Sequence, residues 1–341
     1  MPSLVARLLL AGLGLVAGGC ADSSRQAAAP AAELSFPQDL FARVNGATLH
    51  YLDWGGEGDL LLLLPGWSQT AYTWGEIAPK FTDRFRVVSL TRRGHGASEK
   101  ATAGFTLDVL VDDVVAFVDS IGASRIVLAG HSFAGREMPL VAARLGERVR
   151  GLVFLDAVYD WPALRRHQGS AEINRLMEPP DSAFASREAL EAWYRWRDPE
   201  TWRPVVAATL RSQTLLTSDG RVAWQLPIAD LAKELGWMAT TGTDYSAIRV
   251  PALAIWANML EPGTRSLARA GYPAEDVEAF RTWVIEADQV VKRAGIDALK
   301  QSAGPVTVVE LSAMHAVHWF DPDRVVVEMN RFFDAIADET R

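Results

Sequence analysis

At 341 residues, 49% of them hydrophobic and 22% charged, the chain is long enough to bury a full-sized core and too apolar for general disorder. Its formal net charge of -8 excludes a broad basic field for nucleic acid phosphates, leaving Arg92 and Arg93 as one local basic spot. Nucleic acid is therefore not an expected partner. A single cysteine, Cys20, rules out any disulfide within the chain.

The N-terminus reads as an address. Arg7 precedes an apolar run over 8–19, which falls well short of the ~20 residues needed to span a bilayer and has the length of a signal h-region. It ends in Ala17-Gly18-Gly19-Cys20, which resembles the lipobox of bacterial lipoproteins. The resemblance implies removal of a signal peptide, 1–19, and diacylglycerol on the Cys20 thiol. The protein would then be membrane-anchored at the extracytoplasmic face of a bacterial cell envelope. Each buried methylene of such an anchor contributes ~0.8 kcal/mol, so several acyl chains hold stably. An ordinary cleavable signal with an incidental cysteine is the alternative. The segment that follows, 20–37, is rich in Ala, Ser, Pro and Gln and reads as a flexible tether.

Beyond it, short apolar runs alternate with helical patterns, the signature of strands joined by crossover helices in a mostly parallel sheet. Residues 41–44 and 48–54 predict a hairpin hinged at Asn45-Gly46. Continuous apolar runs at 60–64, 86–90, 125–129, 151–155, 252–256 and 306–311 predict central strands covered on both faces. Between them Leu107, Leu110, Val111, Val114, Val118 and Ile121 recur at helical spacing and stop at Gly122. Asp321-Pro322 predicts the start of a last helix. The alternation breaks over 161–247, a stretch with six tryptophans that reads as helices and loops. It is expected to be a helical lid inserted into a core formed by 38–160 and 248–341. The aromatics would otherwise simply fill that insertion's own core.

Gly130-His131-Ser132-Phe133-Ala134-Gly135 lies between a predicted strand and a predicted helix. A nucleophile on so sharp a turn needs small neighbours, and it gains a helix N-terminus beneath it. A serine hydroxyl also needs an adjacent base. His315 and His318, after the last predicted strand, are the two choices, and His315 lies seven residues before Pro322. The remaining histidines, His50, His95, His131 and His167, show no metal-ligand spacing. No metal or other cofactor is expected.

Together with Leu64-Pro65-Gly66-Trp67 and Thr91-Arg92-Arg93-Gly94-His95-Gly96-Ala97-Ser98, this turn resembles the α/β-hydrolase superfamily from about Phe41 to the C-terminus. The departures are Ala134 for glycine and Thr91 for aspartate. The resemblance implies Ser132 as nucleophile, His315 as base, and the backbone N–H groups of Trp67 and Phe133 as oxyanion donors. For the acid the choice falls on Asp156, which directly follows a strand as in some members of the superfamily, with Glu261, which follows the usual strand, as the alternative and Asp160 or another acid behind them.

The implied activity is acyl transfer from an apolar small or medium carboxylic ester to water. Lactone, amide or carbon–carbon hydrolysis and perhydrolysis would use the same residues. Haloalkane dehalogenases and epoxide hydrolases need aspartate where this chain has Ser132. From another class, the chain would be a non-catalytic envelope lipoprotein that keeps the fold as a binding module.

Overall fold

The computed structural model describes residues 36–100, 106–166, 171–225 and 241–338. The signal segment, Cys20, nearly all of the tether, His167 and Trp237 lie outside them.

Asn45 and Gly46 both take positive φ, 47° and 74°, which lets β1 (Asp39–Val44) turn directly into β2 (Ala47–Gly55) with Val44 opposite Ala47. Six further strands complete an eight-stranded sheet: β3 (Leu60–Leu64), β4 (Arg86–Leu90), β5 (Ile126–His131), β6 (Val149–Leu155), β9 (Ala252–Ala257) and β10 (Val306–Leu311). Their order is β1-β2-β4-β3-β5-β6-β9-β10, antiparallel at the hairpin and at β2–β4 and parallel from β4 to β10. This is the α/β-hydrolase fold, with helices on both faces of the sheet.

The two faces account for the unbroken apolar runs. Leu60, Leu62 and Leu64 of β3 join one core with Leu128, Val114 and Met138, while Leu61 and Leu63 join the other with Val127, Val325 and Phe333. Alternate side chains of one strand thus feed opposite layers. Each fully buried leucine contributes about 1.5–3 kcal/mol. The first layer holds α1 (Leu107–Ser120), capped by the Thr106 side chain accepting from the Val109 N–H, and α2 (Ala134–Leu145). The second holds α11 (Pro322–Asp338).

The described part of 161–247 contains α3 (Trp161–Arg166), α4 (Ala171–Met177), α5 (Arg187–Arg197) and α6 (Pro204–Gln213). It also contains an antiparallel pair absent from the sequence reading, β7 (Thr214–Leu216) with β8 (Val222–Trp224). Each strand has three residues, and Leu215 and Leu216 are exposed, so neither length nor alternation could reveal it. After β9 come α7 (Leu260–Arg269), α8 (Ala274–Trp283), a π-helical turn at Val284–Asp288 and α9 (Gln289–Leu299). The short α10 (Val317–Phe320) precedes α11.

Candidate active site

At the carboxyl end of β5 the chain turns into α2 through Ser132, whose φ is +52°. A side chain rarely tolerates that backbone, so the turn must be held from outside. The Ser132 N–H donates to the Leu155 carbonyl at 3.2 Å. There is no room for larger neighbours: a Cβ on Gly130 would come 2.6 Å from the Ala134 Cβ, and one on Gly135 would overlap the Ala157 carbonyl. Ala134 itself is fully buried, and its methyl takes the place of the expected glycine.

Asp156 follows β6, the neighbour of β5, and likewise has positive φ, 42°. Its N–H donates to the Ile255 carbonyl at 2.7 Å, its Oδ1 accepts from the Ala257 N–H at 2.9 Å, and its Oδ2 lies 2.6 Å from His315 Nδ1. The carboxylate is fully buried, whereas the imidazole side chain is 40% exposed. Burial opposes the charged form, but the Lys292 ammonium and His315 outweigh it, so the carboxyl is held below its ordinary value. The Tyr159 hydroxyl donates to the Asp156 carbonyl at 2.6 Å and lies 3.3 Å from His315 Nδ1.

The structure therefore brings Asp156 to His315 and leaves the other named acids elsewhere. Glu261, in the first turn of α7, is exposed and pairs with Arg265 at 3.0 Å. Asp160 accepts from the Ala163 N–H at 3.0 Å and so caps α3. His318 is fully buried, 3.0 Å from Thr73 Oγ1 and stacked on Trp74 at 4.8 Å. Burial, then the nearby His315, pushes it down to about 3, so it stays neutral. Two residues of chain separate a half-open imidazole from a sealed one.

Trp67 follows Gly66 in the loop after β3, with Ser68 beyond it at φ 60°, and its ring meets that of Phe133 edge to face at 4.9 Å. The loop is held from below by a residue that the sequence reading placed in a basic spot. Arg92 is buried, not a surface charge: its Nε is 2.7 Å from Glu137 Oε1, and it donates to the Gly66 carbonyl at 3.0 Å and the Pro65 carbonyl at 2.6 Å. It thus ties the Trp67 loop to α2. Arg93 is spent likewise on Asp113, at 2.5 Å. The pairing of Arg92 with Glu137 across 45 residues left no local signal. His131 is a second such case. Its Nε2 donates to the His315 carbonyl at 3.0 Å, linking the turn at Ser132 to the loop that carries the imidazole.

Ser132 and His315 open onto a cavity of about 600 Å³ walled in part by Phe184, Tyr194, Trp224 and Trp319. A smaller chamber of about 150 Å³ adjoins it, sharing Met177, Tyr194 and Trp319 as walls. Among the described residues lining the larger cavity, Glu178 is the one acidic side chain, and no lysine or arginine lines it. No group of three or more His, Cys, Asp or Glu among the described residues is arranged to hold a metal ion.

The family description "Alpha/beta hydrolase family" matches residues 61–328. A soluble epoxide hydrolase from Corynebacterium sp. (strain C12) is 32% identical over 117 residues, 34% of this chain and 41% of that protein. An N-formylmaleamate deformylase from Pseudomonas putida (strain KT2440) is 32% identical over 124 residues, 36% of this chain and 46% of that protein. The chain thus spans less than half the length of these two relatives. The crystal structure of E-2-(acetamidomethylene)succinate hydrolase superposes with a TM-score of 0.62 at 20% identity, covering 87% of this chain and all of that one.

Proposed function

Because this chain belongs to the α/β-hydrolase family, we propose that it is a serine hydrolase that transfers the acyl group of an apolar small or medium carboxylic ester to water. The observation that carries this reading is the 2.6 Å contact from His315 Nδ1 to the buried Asp156 carboxylate, on the sheet edge that also presents the strained Ser132. A carboxylate at Nδ1 fixes the tautomer with Nε2 unprotonated, free to take a proton from Ser132. Ser132 Oγ then attacks the ester carbonyl, and the Trp67 and Phe133 N–H groups receive the developing oxyanion. His315 passes its proton to the leaving alcohol. The same base next activates water, which attacks the acyl-enzyme and releases the acid and Ser132. These steps use the chain's own residues and no cofactor. Asp156 remains ionised throughout, as its lowered value favours.

The serine at position 132 weighs against epoxide opening, although a soluble epoxide hydrolase is among the relatives. The cavity's aromatic walls suit apolar acyl groups, and the smaller chamber beside it suits one compact branch or ring. Glu178 at the rim, with no cationic side chain in the described lining, disfavours substrates bearing a carboxylate near the scissile bond. This sets the expected substrate apart from the compounds for which the deformylase and the succinate hydrolase are named.

Two measurements test the reading. A fluorophosphonate probe should label Ser132 in the folded protein, and an unlabelled folded protein would favour a binding module. A panel of p-nitrophenyl esters of increasing chain length, run beside lactones, amides and hemisuccinate esters, should show best turnover on neutral apolar esters. Preference for a lactone, an amide or an anionic ester would move the substrate class while leaving the nucleophile in place.

We also propose that Cys20 carries the lipid anchor, on the strength of the small residues before it. Expressed in a bacterium, the wild-type protein should partition into detergent and Cys20→Ser into the aqueous phase. Wild-type protein that is unacylated and cut elsewhere would remove the anchor without touching the hydrolase.

A further inference from the structure

Lys292 takes no part in the acyl transfer, yet its ammonium sits against the acid of the site. Its side chain is 1% exposed, with Nζ 3.1 Å from Asp156 Oδ2 and 3.0 Å from Asp288 Oδ2. Nζ also donates to the Ala257 carbonyl at 2.9 Å. Three oxygens face an ammonium that has three protons. A buried lysine is costly unless paired, and here two carboxylates compensate it. Asp156 Oδ2, the oxygen that meets His315 Nδ1 at 2.6 Å, is the one that Lys292 approaches.

Local structure delivers this contact. Gly295, one turn after Lys292 in α9, lies so close to Tyr159 that a Cβ there would come within 2.6–2.7 Å of its backbone. The Asp160 N–H also donates to the Val291 carbonyl at 3.1 Å. The helix is thereby drawn onto the segment that follows Asp156. The π-helical turn at Val284–Asp288 ends on Asp288, four residues before Lys292 and so on the same face.

We propose that Lys292 is a positioning residue for the hydrolysis, holding the Asp156 carboxylate against His315 Nδ1, and that Asp288 is the counter-charge that keeps this support from repelling the imidazolium. The inference rests on the acyl-transfer reading above. Asp156 and Asp288 each contribute one negative charge and Lys292 one positive, so a net single negative charge faces His315 when all three are ionised. Removing Lys292 leaves the two carboxylates uncompensated wherever Asp288, driven further toward its neutral form, is still ionised, and neutralising Asp288 leaves no net charge. The first change favours the imidazolium and the second disfavours it. Burial, opposed by Lys292, pushes Asp288 up to about 6, so its charge is present above about pH 6. Of the other titratable groups nearby, His131, whose ring lies 4.5 Å from that of His315, and His318 are kept neutral chiefly by burial, and two are phenols. Tyr159 is held well above its ordinary value and Tyr245 is pushed up to about 12, each chiefly by burial, so neither changes charge in the working range.

The test uses the full chain and two readouts: the pH profile of kcat/KM on a p-nitrophenyl ester, and the pH dependence of fluorophosphonate labelling. Native protein is measured first. If it neither labels nor turns over, the acyl-transfer reading fails and not the inference about Lys292. Given native activity, Lys292→Met should lower kcat about 10- to 100-fold with little change in KM. It should also move the acid limb up, by at most about one pH unit because Asp288 is itself driven toward its neutral form, since the neutral base must then form at higher pH. Asp288→Asn should move the limb down by about half a unit. A purely structural role would not send the two limbs in opposite directions. Limbs that coincide with native in both variants, or that move the same way, overturn the proposal. Should Lys292→Met fail to fold, Asp288→Asn decides alone: a downward limb supports it and an unmoved one overturns it.

Discussion

The floor and the roof of the cavity are built on different principles. The floor stands on strand ends and is fixed by buried charge: Arg92 on Glu137 beneath the Trp67 loop, Lys292 on Asp156 and Asp288 beneath His315. The roof is assembled from the described part of 161–247, where Phe184, Trp193, Tyr194 and Trp224 pack on one another, Trp224 edge to face on Phe184 at 5.5 Å. Buried ion pairs are costly to break and have one good geometry. Aromatic contacts are each worth about 0.5–1.5 kcal/mol and tolerate rearrangement. The floor therefore suits chemistry that fails when atoms shift by an ångström, and the roof suits selection of shape.

Substitutions at graded depth separate the two. The largest effect is expected at Asp156→Asn, which should keep the fold and reduce kcat by roughly 10⁴, the scale for losing the orienting carboxylate, while Glu261→Gln on the exposed face of α7 stays near wild type. A comparable loss in Glu261→Gln would transfer the acid's role to it.

Next comes Glu137→Gln, which leaves the Arg92 charge without its carboxylate. It should destabilise the protein by about 3–5 kcal/mol in urea denaturation and lower kcat about 10- to 100-fold through displacement of the Trp67 N–H. Unchanged kcat in the folded variant would show that this brace serves stability alone.

The smallest effect is expected in the roof. Trp224→Ala should raise KM several-fold for bulky acyl groups and leave kcat on a short acetate within about twofold, because it removes binding shared by ground and transition states. A large fall in kcat on the short ester would place the roof within the chemistry and erase the distinction.

The same contrast explains what could be read from the chain before its fold was known. Leu60–Leu64 announces a central strand because both of its faces are covered, and Gly130 to Gly135 announce the turn because close approach excludes larger residues there. Asp156 was legible as a strand-end carboxylate, one of three acids in view. It was preferred there over Glu261 and Asp160, and the contact with His315 across 159 residues is what sets it apart from them in the structure. Lys292 gave no signal, since a lysine in an amphipathic helix ordinarily faces water, and only the approach permitted by Gly295 buries it. Arg92 was read only as part of a basic spot, because Glu137 is distant in sequence and comes near once β3 seats between β4 and β5, the strand that leads into α2.

Four non-glycine residues in the described chain have positive φ, and three of them, Ser68, Ser132 and Asp156, lie at this one edge of the sheet. Such backbone costs on the order of 1 kcal/mol or more per residue, and glycine would relieve it. Ser132→Gly should therefore melt above the wild type while losing all turnover. A search guided by thermal stability alone would begin by erasing the proposed nucleophile, and a lineage drifting without need of the reaction would find its first improvements there.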